Sequence, residues 1–577
     1  MRARRFSIAI VSLLAMLVPV SGFAQSAVGV RKLWSPYQFR QQPPINRANS
    51  SRLEALLRAG NLYLSMQDAI ALALENNLDI AVERYAPLLA DADLLRSQAG
   101  GGVIPNLDPT VSYNLNRAHQ TSPQTSSFMS GTSALVLAST QSNVSLSEGF
   151  LTGTNATVSW NSNFSLSNSL TNNFNPSVNS YLDLKVTQHL LQGFGLAVNR
   201  RNIRIAQNGR KVSDLAFKAQ VITTVATVMN MYWDLVSYNE DVKVKLQAVA
   251  LAQKLLDDNK NQVEIGSLAP IEVVRAQAQL ASSRQDLVIS RTRVLQQETI
   301  LKNVLSRTGV TSPSVADARI ITTDQATVPE TDAISPIQDL LAKALANRPE
   351  LAQTDLQVQN SRISLEGTRS ALRPTLDAVA DVQNSGLAGE TNALVASSPL
   401  ASFLGVVDPY FVGGYGTALG QVLRRNFPNY TVGFQFNVPL RNRSARADMA
   451  SAQYQLRQSE LRQQQQTNQV GVDVTNALIG VQQAHAAYDA AVEARVLQQE
   501  TLNAEQEKYT LGASTNFLVI QTQRDLAAAE SAEVAAKSNY VKARVALDQA
   551  TGQLLEVNSV HMDEALSGQV SRPPSGK

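Results

Sequence analysis

The chain contains no cysteine among its 577 residues. That absence excludes a disulfide framework, a thiolate metal site, a cysteine nucleophile and a lipid-bearing cysteine at a cleavage point. Histidine is nearly as scarce. His119, His189, His485 and His561 are scattered, and none stands in an HExxH or comparable ligand spacing. The glycine cluster Gly413-Gly414-Tyr415-Gly416 lacks the strand-then-helix frame of a phosphate cradle. No catalytic, cofactor-binding or metal-binding residue is therefore assigned, and the chain is not read as an enzyme.

Long apolar runs are also missing, except at the N-terminus. There Arg2, Arg4 and Arg5 precede the apolar stretch Phe6 to Val20 and the small-residue segment Ser21-Gly22-Phe23-Ala24, the three parts of a secretory leader cleaved after Ala24. This run is shorter than the roughly 20 residues of a membrane span and contains Pro19. Setting residues 1–24 aside removes three of the 50 basic residues, which leaves 47 against 47 acidic ones. The basic excess expected of a nucleic-acid partner is thus absent. With no candidate transmembrane helix, any membrane-spanning part must be built from strands.

What is present is an internal repeat. The segment Gln67 to Asn77 returns as Gln338 to Arg348, a Pro105-led segment as a Pro374-led one, and Tyr181 to Leu190 as Tyr430 to Leu440. A long helical stretch follows in each copy, interrupted at Gly266 and Gly512, and the copies end at Gly309 and Gly552. Four landmarks in the same order define two structural repeats. The boundaries follow: leader 1–24, extended N-terminal arm 25–61 with Trp34, Pro36, Pro43 and Pro44, first repeat 62–310, irregular linker 311–332, second repeat 333–555 and C-terminal tail 556–577.

Val221, Val225, Val228, Tyr232 and Leu235 step by four and three residues, continuing through Val242, Leu246, Val249 and Leu256. Val470, Val474, Ala477, Val481, Ala484, Tyr488 and Ala491 repeat the pattern, so both stretches are coiled-coil seams on otherwise polar helices. No proline falls between Asn199 and Gly266, and at 1.5 Å per residue such a helix reaches about 100 Å. Four segments alternate with period two: Val111 to Leu115, Leu182 to Val186, Leu376 to Val382 (broken at Val379) and Val432 to Val438. Apolar on one face and polar on the other, they suit a barrel wall or a half-buried strand in a sandwich. Each pair flanks a long Ser/Asn/Gly-rich loop, 119–180 or 387–429. Four strands are too few to close a barrel, and three copies giving twelve are the simplest closed solution. Within the first loop, Ala156, Val158, Trp160, Phe164 and Leu166 alternate again. They either extend the hairpin beyond the membrane, the favoured reading, or form an extra external sheet. Gly100-Gly101-Gly102 supplies a bend between helix and first strand.

This arrangement resembles the TolC-like outer-membrane efflux proteins over about residues 62–555. The resemblance is carried by Leu64 to Ala69 with Ala73 to Asn77, Ala344 to Pro349, the strand-end motifs Leu184 to Gly195 and Phe434 to Leu440, and the tip motifs Val263 to Leu280, Tyr509 to Gly512 and Phe517 to Leu526. It implies a mostly α fold with a membrane β-barrel contribution. In that fold, long coiled-coil helices form an α-barrel, and each protomer adds four strands to a 12-stranded trimeric β-barrel. It further implies a homotrimer in outer-membrane lipid that reaches into the periplasm. Such a trimer works with a periplasmic adaptor and an inner-membrane transporter, as the passive exit duct of a tripartite efflux pump or type I secretion system. The rival reading, a periplasmic adaptor or structural coiled coil, fits a single helical hairpin better than a duplicated set flanking alternating strands.

The entrance is expected where glycine turns join the long helices, at Gly266 and Gly512, with Glu264, Glu272, Arg275, Tyr509, Gln521 and Arg524 nearby. By the resemblance, Glu272 and Tyr509 occupy positions of the links that hold the entrance shut. Leu518 and Gln521 stand where some relatives place an acidic ring, and Ser514 where an arginine partner can occur. The closing contacts are therefore expected to be apolar or amide-based, with Glu272–Arg275 pairs. His189 replaces a proline common in the strand-end motif and is read as structural.

Overall fold

The computed structural model describes residues 44–100, 106–126, 130–266, 268–330, 335–396 and 406–574. The leader, Trp34, Pro36 and Pro43 of the arm, Gly101 and Gly102 lie outside the described residues. Two compact units are distinguished, Met1–Ala48 and Asn49–Lys577. In the first, residues 44–48 are exposed and without regular structure. The second contains every element described below.

It begins with α1 (Ser51–Leu56), β1 (Leu57–Arg58), β2 (Asn61–Leu64), α2 (Met66–Asn76), α3 (Leu78–Glu83) and α4 (Tyr85–Gln98). Helix α2 starts where it does because the Ser65 hydroxyl accepts from the Asp68 backbone N–H at 3.1 Å while donating to the Asp68 carboxylate at 2.8 Å. Strand β2 pairs in parallel with β7 (Arg319–Thr322). The residues read as arm and linker therefore fold in part: strands from 57–64 and 319–322 form a three-stranded sheet.

The long helices are α5 (Arg201–Glu264), α6 (Pro270–Leu305), α7 (Ile337–Asn347), α8 (Pro349–Ala371), α10 (Arg443–Thr510) and α11 (Asn516–Ala550). The 64 residues of α5 span about 96 Å at 1.5 Å each. Its sheet-side half lies between α4 and α8, tied by Arg210–Asp91 and by Asn208 donating to Asn360 at 2.8 Å. Its other half lies between α6 and α11. There the Asp241 carboxylate accepts from Ser290 at 2.7 Å and Ser531 at 2.8 Å. Helix α10, 68 residues long, packs on α8 and then α11. The seam residues fulfil their pattern: Val221, Val225, Val228, Tyr232, Leu235, Val470, Val474 and Val481 are fully buried. Val242, Val249, Ala477, Ala484, Tyr488 and Ala491 are half-buried, and Leu246 alone of the seam is exposed, at 42%. The main core gathers the middle of α5 against α2, β2, β7 and the far ends of α6 and α11.

The second sheet has the order β3 (Thr110–Pro123), β4 (Ala134–Gly149), β5 (Thr154–Ser167), β6 (Phe174–His189), β8 (Thr375–Thr391), β9 (Phe427–Asn437), antiparallel throughout. The fold class expected from the sequence holds, with long helices and a sheet of alternating strands. The expectation of four strands per protomer is corrected to six. Segment 154–167 neither lengthens the first hairpin nor stands apart from it; with β4 it forms a second hairpin between β3 and β6. Strand β4 escaped notice because its apolar face carries Thr140 and Ser142 while Leu135 and Leu137 break the alternation.

Cross-strand register aligns the faces row by row. One row reads Val111, Leu146, Val158, Leu184, Val382, Tyr430 across all six strands, and the next reads Tyr113, Val144, Trp160, Leu182, Asn384, Pro428. The opposite face carries Ser112, Ser145, Ser159, Asp183, Gln383, Asn429 and then Asn114, Asn143, Asn161, Tyr181, Ser385, Phe427. A short helix, α9 (Tyr415–Leu423), lies on the apolar face above these rows. It rests where Gly386 leaves room for the Ala418 carbonyl and where the Tyr415 ring meets Trp160 edge-on at 5.8 Å. Among the described residues, no helix is long and apolar enough to cross a membrane.

Within the core, the one Tyr232 hydroxyl proton is shared between the Leu64 carbonyl at 3.0 Å and the Asp324 carboxylate at 3.2 Å, and burial raises its pKa above the ordinary tyrosine value. Tyr232→Phe strands these acceptors and is expected to lower unfolding stability by about 1–3 kcal/mol. The check is the denaturant midpoint followed by the fluorescence of Trp233, whose indole lies 5.5 Å from the Tyr232 ring. An unchanged midpoint contradicts this role.

Candidate functional site at the helical tip

The two helical hairpins turn at the end of the molecule opposite the six-stranded sheet. Gly266 and Gly512 adopt φ of +77° and +74°, the left-handed geometry that ends a helix without a Cβ penalty. The Gly266 N–H donates to Val263 O at 3.0 Å, and the Gly512 N–H to Tyr509 O at 3.0 Å. At the second turn the Ala513 N–H returns to Lys508 O at 2.8 Å, and Thr515 caps α11. Pro270 at the first position of α6 fits the same logic, since its missing N–H has no partner to lose there.

Between the hairpins the polar contacts are few and specific. The Tyr509 hydroxyl, at the end of α10, lies 3.0 Å from Gln262 Oε1 and 3.3 Å from Asn259 Oδ1, both at the end of α5. Its pKa is raised by burial and by the nearby charges of Glu272 and Asp258, which keeps the hydroxyl proton in place for donation. At the start of α11, Asn516 donates to the Glu272 carboxylate at 3.0 Å, and Arg275 donates to the same carboxylate at 2.8 Å. Ser514 donates to Glu505, which also faces Lys508 at 3.4 Å. The Ser514 hydroxyl and the Lys508 charge hold the Glu505 pKa below the usual glutamate value. Leu255, Val519 and Ile520 form the small apolar cluster beneath, with Tyr509 packed against it.

Of the residues singled out in the sequence, Glu272 and Arg275 are brought together, Tyr509 bridges the hairpins, and Ser514 meets Glu505. Leu518 and Gln521 are exposed. An offset of 246 residues (512 minus 266) carries Glu272 onto Leu518 and Arg275 onto Gln521. The repeats thus place a charged pair on one hairpin and a neutral pair at the matching positions of the other. Sequence reasoning missed Asn259, Gln262, Glu505 and Asn516. For Asn516 the available signal was its place just after the capping Thr515; the rest are polar helix residues without a distinguishing pattern. Among the described residues, no cluster of His, Cys, Asp or Glu is arranged to hold a metal ion.

A six-stranded sheet with one apolar face, joined to helices of this length ending in paired glycine turns, defines a channel-type architecture that couples a membrane wall to a periplasmic rod. Sequence comparison supports the same class: the family described as outer membrane efflux protein matches residues 150–307 and 340–553, more than half of the chain. The chain belongs to the outer membrane efflux protein family, and its place is the outer membrane, extending into the periplasm. The fold is similar to that of the Campylobacter jejuni CmeC outer membrane channel, with 14% identity, 96% of this chain and 98% of that chain covered, and a TM-score of 0.59. It is also similar to the outer membrane protein VceC of Vibrio cholerae (13%, 84% and 96%, TM-score 0.57) and to the open state of the Neisseria gonorrhoeae MtrE outer membrane channel (16%, 85% and 89%, TM-score 0.52). Comparison with curated proteins yields no match in sequence.

Tyr509→Phe removes the one hydroxyl proton that Gln262 and Asn259 share between α10 and α5, a contact worth about 1 kcal/mol. Amide exchange in 254–266 and 505–520 is expected to accelerate several-fold while the Tyr232 region keeps its protection. Equal exchange in both proteins contradicts the bridging role.

Proposed function

We propose that three copies assemble into a passive exit duct across the periplasm and outer membrane, serving a tripartite efflux pump or a type I secretion system. An inner-membrane transporter supplies the energy, a periplasmic adaptor joins it to the helical tip, and the duct itself performs no chemistry. The observation that carries this reading is the pairing, in one chain, of a sheet apolar on one face with helices about 96 Å long. Neither part is complete alone. Among the described residues, nothing pairs with the outer edges of β3 and β9, which hydrocarbon does not tolerate.

The helical slab likewise exposes apolar stripes on its flanks. On α6, Val274, Ala281, Val288 and Leu295 recur every seventh residue; on α10, Tyr454, Leu461, Val472 and Ile479 lie on one seam. All eight are exposed in the single chain. Heptad-spaced apolar residues facing water are the mark of a coiled-coil partner, and a second and third copy provide it. The periplasmic adaptor reading is disfavoured by the six-stranded sheet.

At the tip, three copies repeat the two turns as a ring of six. Glu272 and Arg275 alternate around it with Leu518 and Gln521, so the ring is neutral when the pairs are charged, and no carboxylate ring stands ready to trap cations. Glu272, Arg275, Tyr509 and Ser514, with the turns at Gly266 and Gly512, hold the entrance closed in this account. The water-filled lumen selects weakly, and specificity lies with the transporter.

Outer-membrane extract run without boiling is expected to show a species of three chains; a monodisperse single chain contradicts the proposal. Val288→Asp, at a position 62% exposed in the single chain, is expected to leave the protomer folded but abolish this species, because the charge would be buried without a partner. Cysteines placed at Glu272 and Ser514 are expected to cross-link under oxidation and lower single-channel conductance, with recovery on reduction. Absence of any cross-link contradicts the tip assignment.

A further inference from the structure

We infer that all six strands of each protomer stand in the membrane wall, so that three copies close an 18-stranded barrel in place of the 12-stranded one that the family resemblance implied. This inference rests on the threefold channel reading. Its geometric basis is the strand order: β3 does not pair with β6, because β4 and β5 lie between them along an unbroken register. If β3 and β6 are wall strands, no path through the sheet avoids β4 and β5.

The side chains agree. Leu146 and Val144 on β4, and Val158 and Trp160 on β5, fill the same apolar rows as Val111, Tyr113, Leu182 and Leu184. Their neighbours on the other face, Asn143, Ser145, Ser159 and Asn161, continue the polar rows, and Asn143 donates to Asn161 within them. An external hairpin, wet on both faces, has no need of this alternation. The inner turn of the hairpin is fastened at the level where the wall strands end. The His189 N–H donates to Gly153 O at 3.1 Å, the Gly195 N–H to Thr152 O at 3.3 Å, and the Gly149 N–H to Asn106 O at 2.8 Å.

Strand direction at the free edges lets another copy of the chain fill them. Because the count is even, β9 runs antiparallel to β3, and β9 of one protomer can pair with β3 of the next in the same sense as every pair inside the sheet. Repeating that head-to-tail contact three times closes a ring with no edge left. With strands 4.8 Å apart and tilted by roughly 40°, twelve strands enclose a backbone radius of about 12 Å and eighteen about 18 Å. The cross-section roughly doubles, into the range where bacterial barrels keep an aqueous lumen.

The test uses single-cysteine variants of the full chain, which has no native cysteine, carrying nitroxide labels in trimers purified into lipid bilayers. Labels at Leu146→Cys and Val158→Cys are expected to be relaxed several-fold more by oxygen dissolved in lipid than by a water-soluble nickel chelate. Labels at Ser145→Cys and Ser159→Cys are expected to show the reverse. Trimers in which the Leu146 and Val158 labels are as chelate-accessible as a label at Thr171→Cys in the β5–β6 turn overturn the inference while leaving the channel reading intact. Failure of the unlabelled chain to form trimers overturns the channel reading itself. A second measurement does not depend on tolerance of the labels. Oxidation of a Tyr113→Cys/Leu182→Cys double variant is expected to yield no bond within a protomer, since three strand spacings, about 14 Å, separate the two positions. An efficient bond there overturns the inference.

Discussion

Unpaired backbone groups at the sheet edges limit where this sheet can stand. In hydrocarbon every N–H and C=O must find a partner inside the protein. Strands β4, β5, β6 and β8 each lie between two others within one chain, whereas among the described residues β3 and β9 each keep one edge open. A soluble protein blunts such edges with charges, bulges or a covering helix. Among the described residues, the part of β8 that runs beyond β9 is covered locally: Gln421, just before the end of α9, accepts from the Leu387 N–H at 2.9 Å, and Val412 bridges Gly389. In the proposed assembly, the outer edges of β3 and β9 are met by another copy of the chain.

The helices answer a second constraint, distance. Seams of valine, alanine and tyrosine let four helices pack side by side with little apolar surface per residue, so the rod stays narrow and polar over its length. Stability is concentrated in the middle of the rod. There the core around Phe217, Val221 and Tyr232 joins α5 to the N-terminal elements and to the strand from the linker. Toward the tip the packing thins to small clusters such as Leu255, Val519 and Ile520, and hydrogen bonds from Tyr509 and Asn516 carry the contact between hairpins. This distribution suits the entrance proposed at the tip, because a part that moves belongs to the low-stability end of a molecule.

The repeat, the seams and the glycine turns were legible in the sequence because each rests on a periodic or conformational rule. Val470, Val474 and Val481 recur at helical spacing, and Gly266 and Gly512 stand where an L-residue would be strained. The strand count was not legible. Strand β5 announced itself through Val158, Trp160 and Phe164, but its place between β4 and β6 depends on long-range pairing that local alternation does not encode. Strand β4 was hidden by Thr140 and Ser142 on its outward face. At the tip, Glu272, Arg275 and Tyr509 were singled out through the family resemblance and the turn positions. Their partners Asn259, Gln262 and Asn516 were missed because polar residues are common along these helices and only the folded geometry selects among them. His189, read as structural, lies 2.6 Å from Asp377 across β6 and β8 and so helps join the two repeats at the base of the sheet.

In the proposed assembly, the membrane wall is completed between chains and not within one. Electron cryomicroscopy of the detergent-extracted assembly, viewed along its long axis, tests this most directly. A threefold ring in which β9 of each protomer continues into β3 of the next is the expected result. A sheet closed upon itself inside one chain, or six strands folded into a water-soluble core, contradicts it.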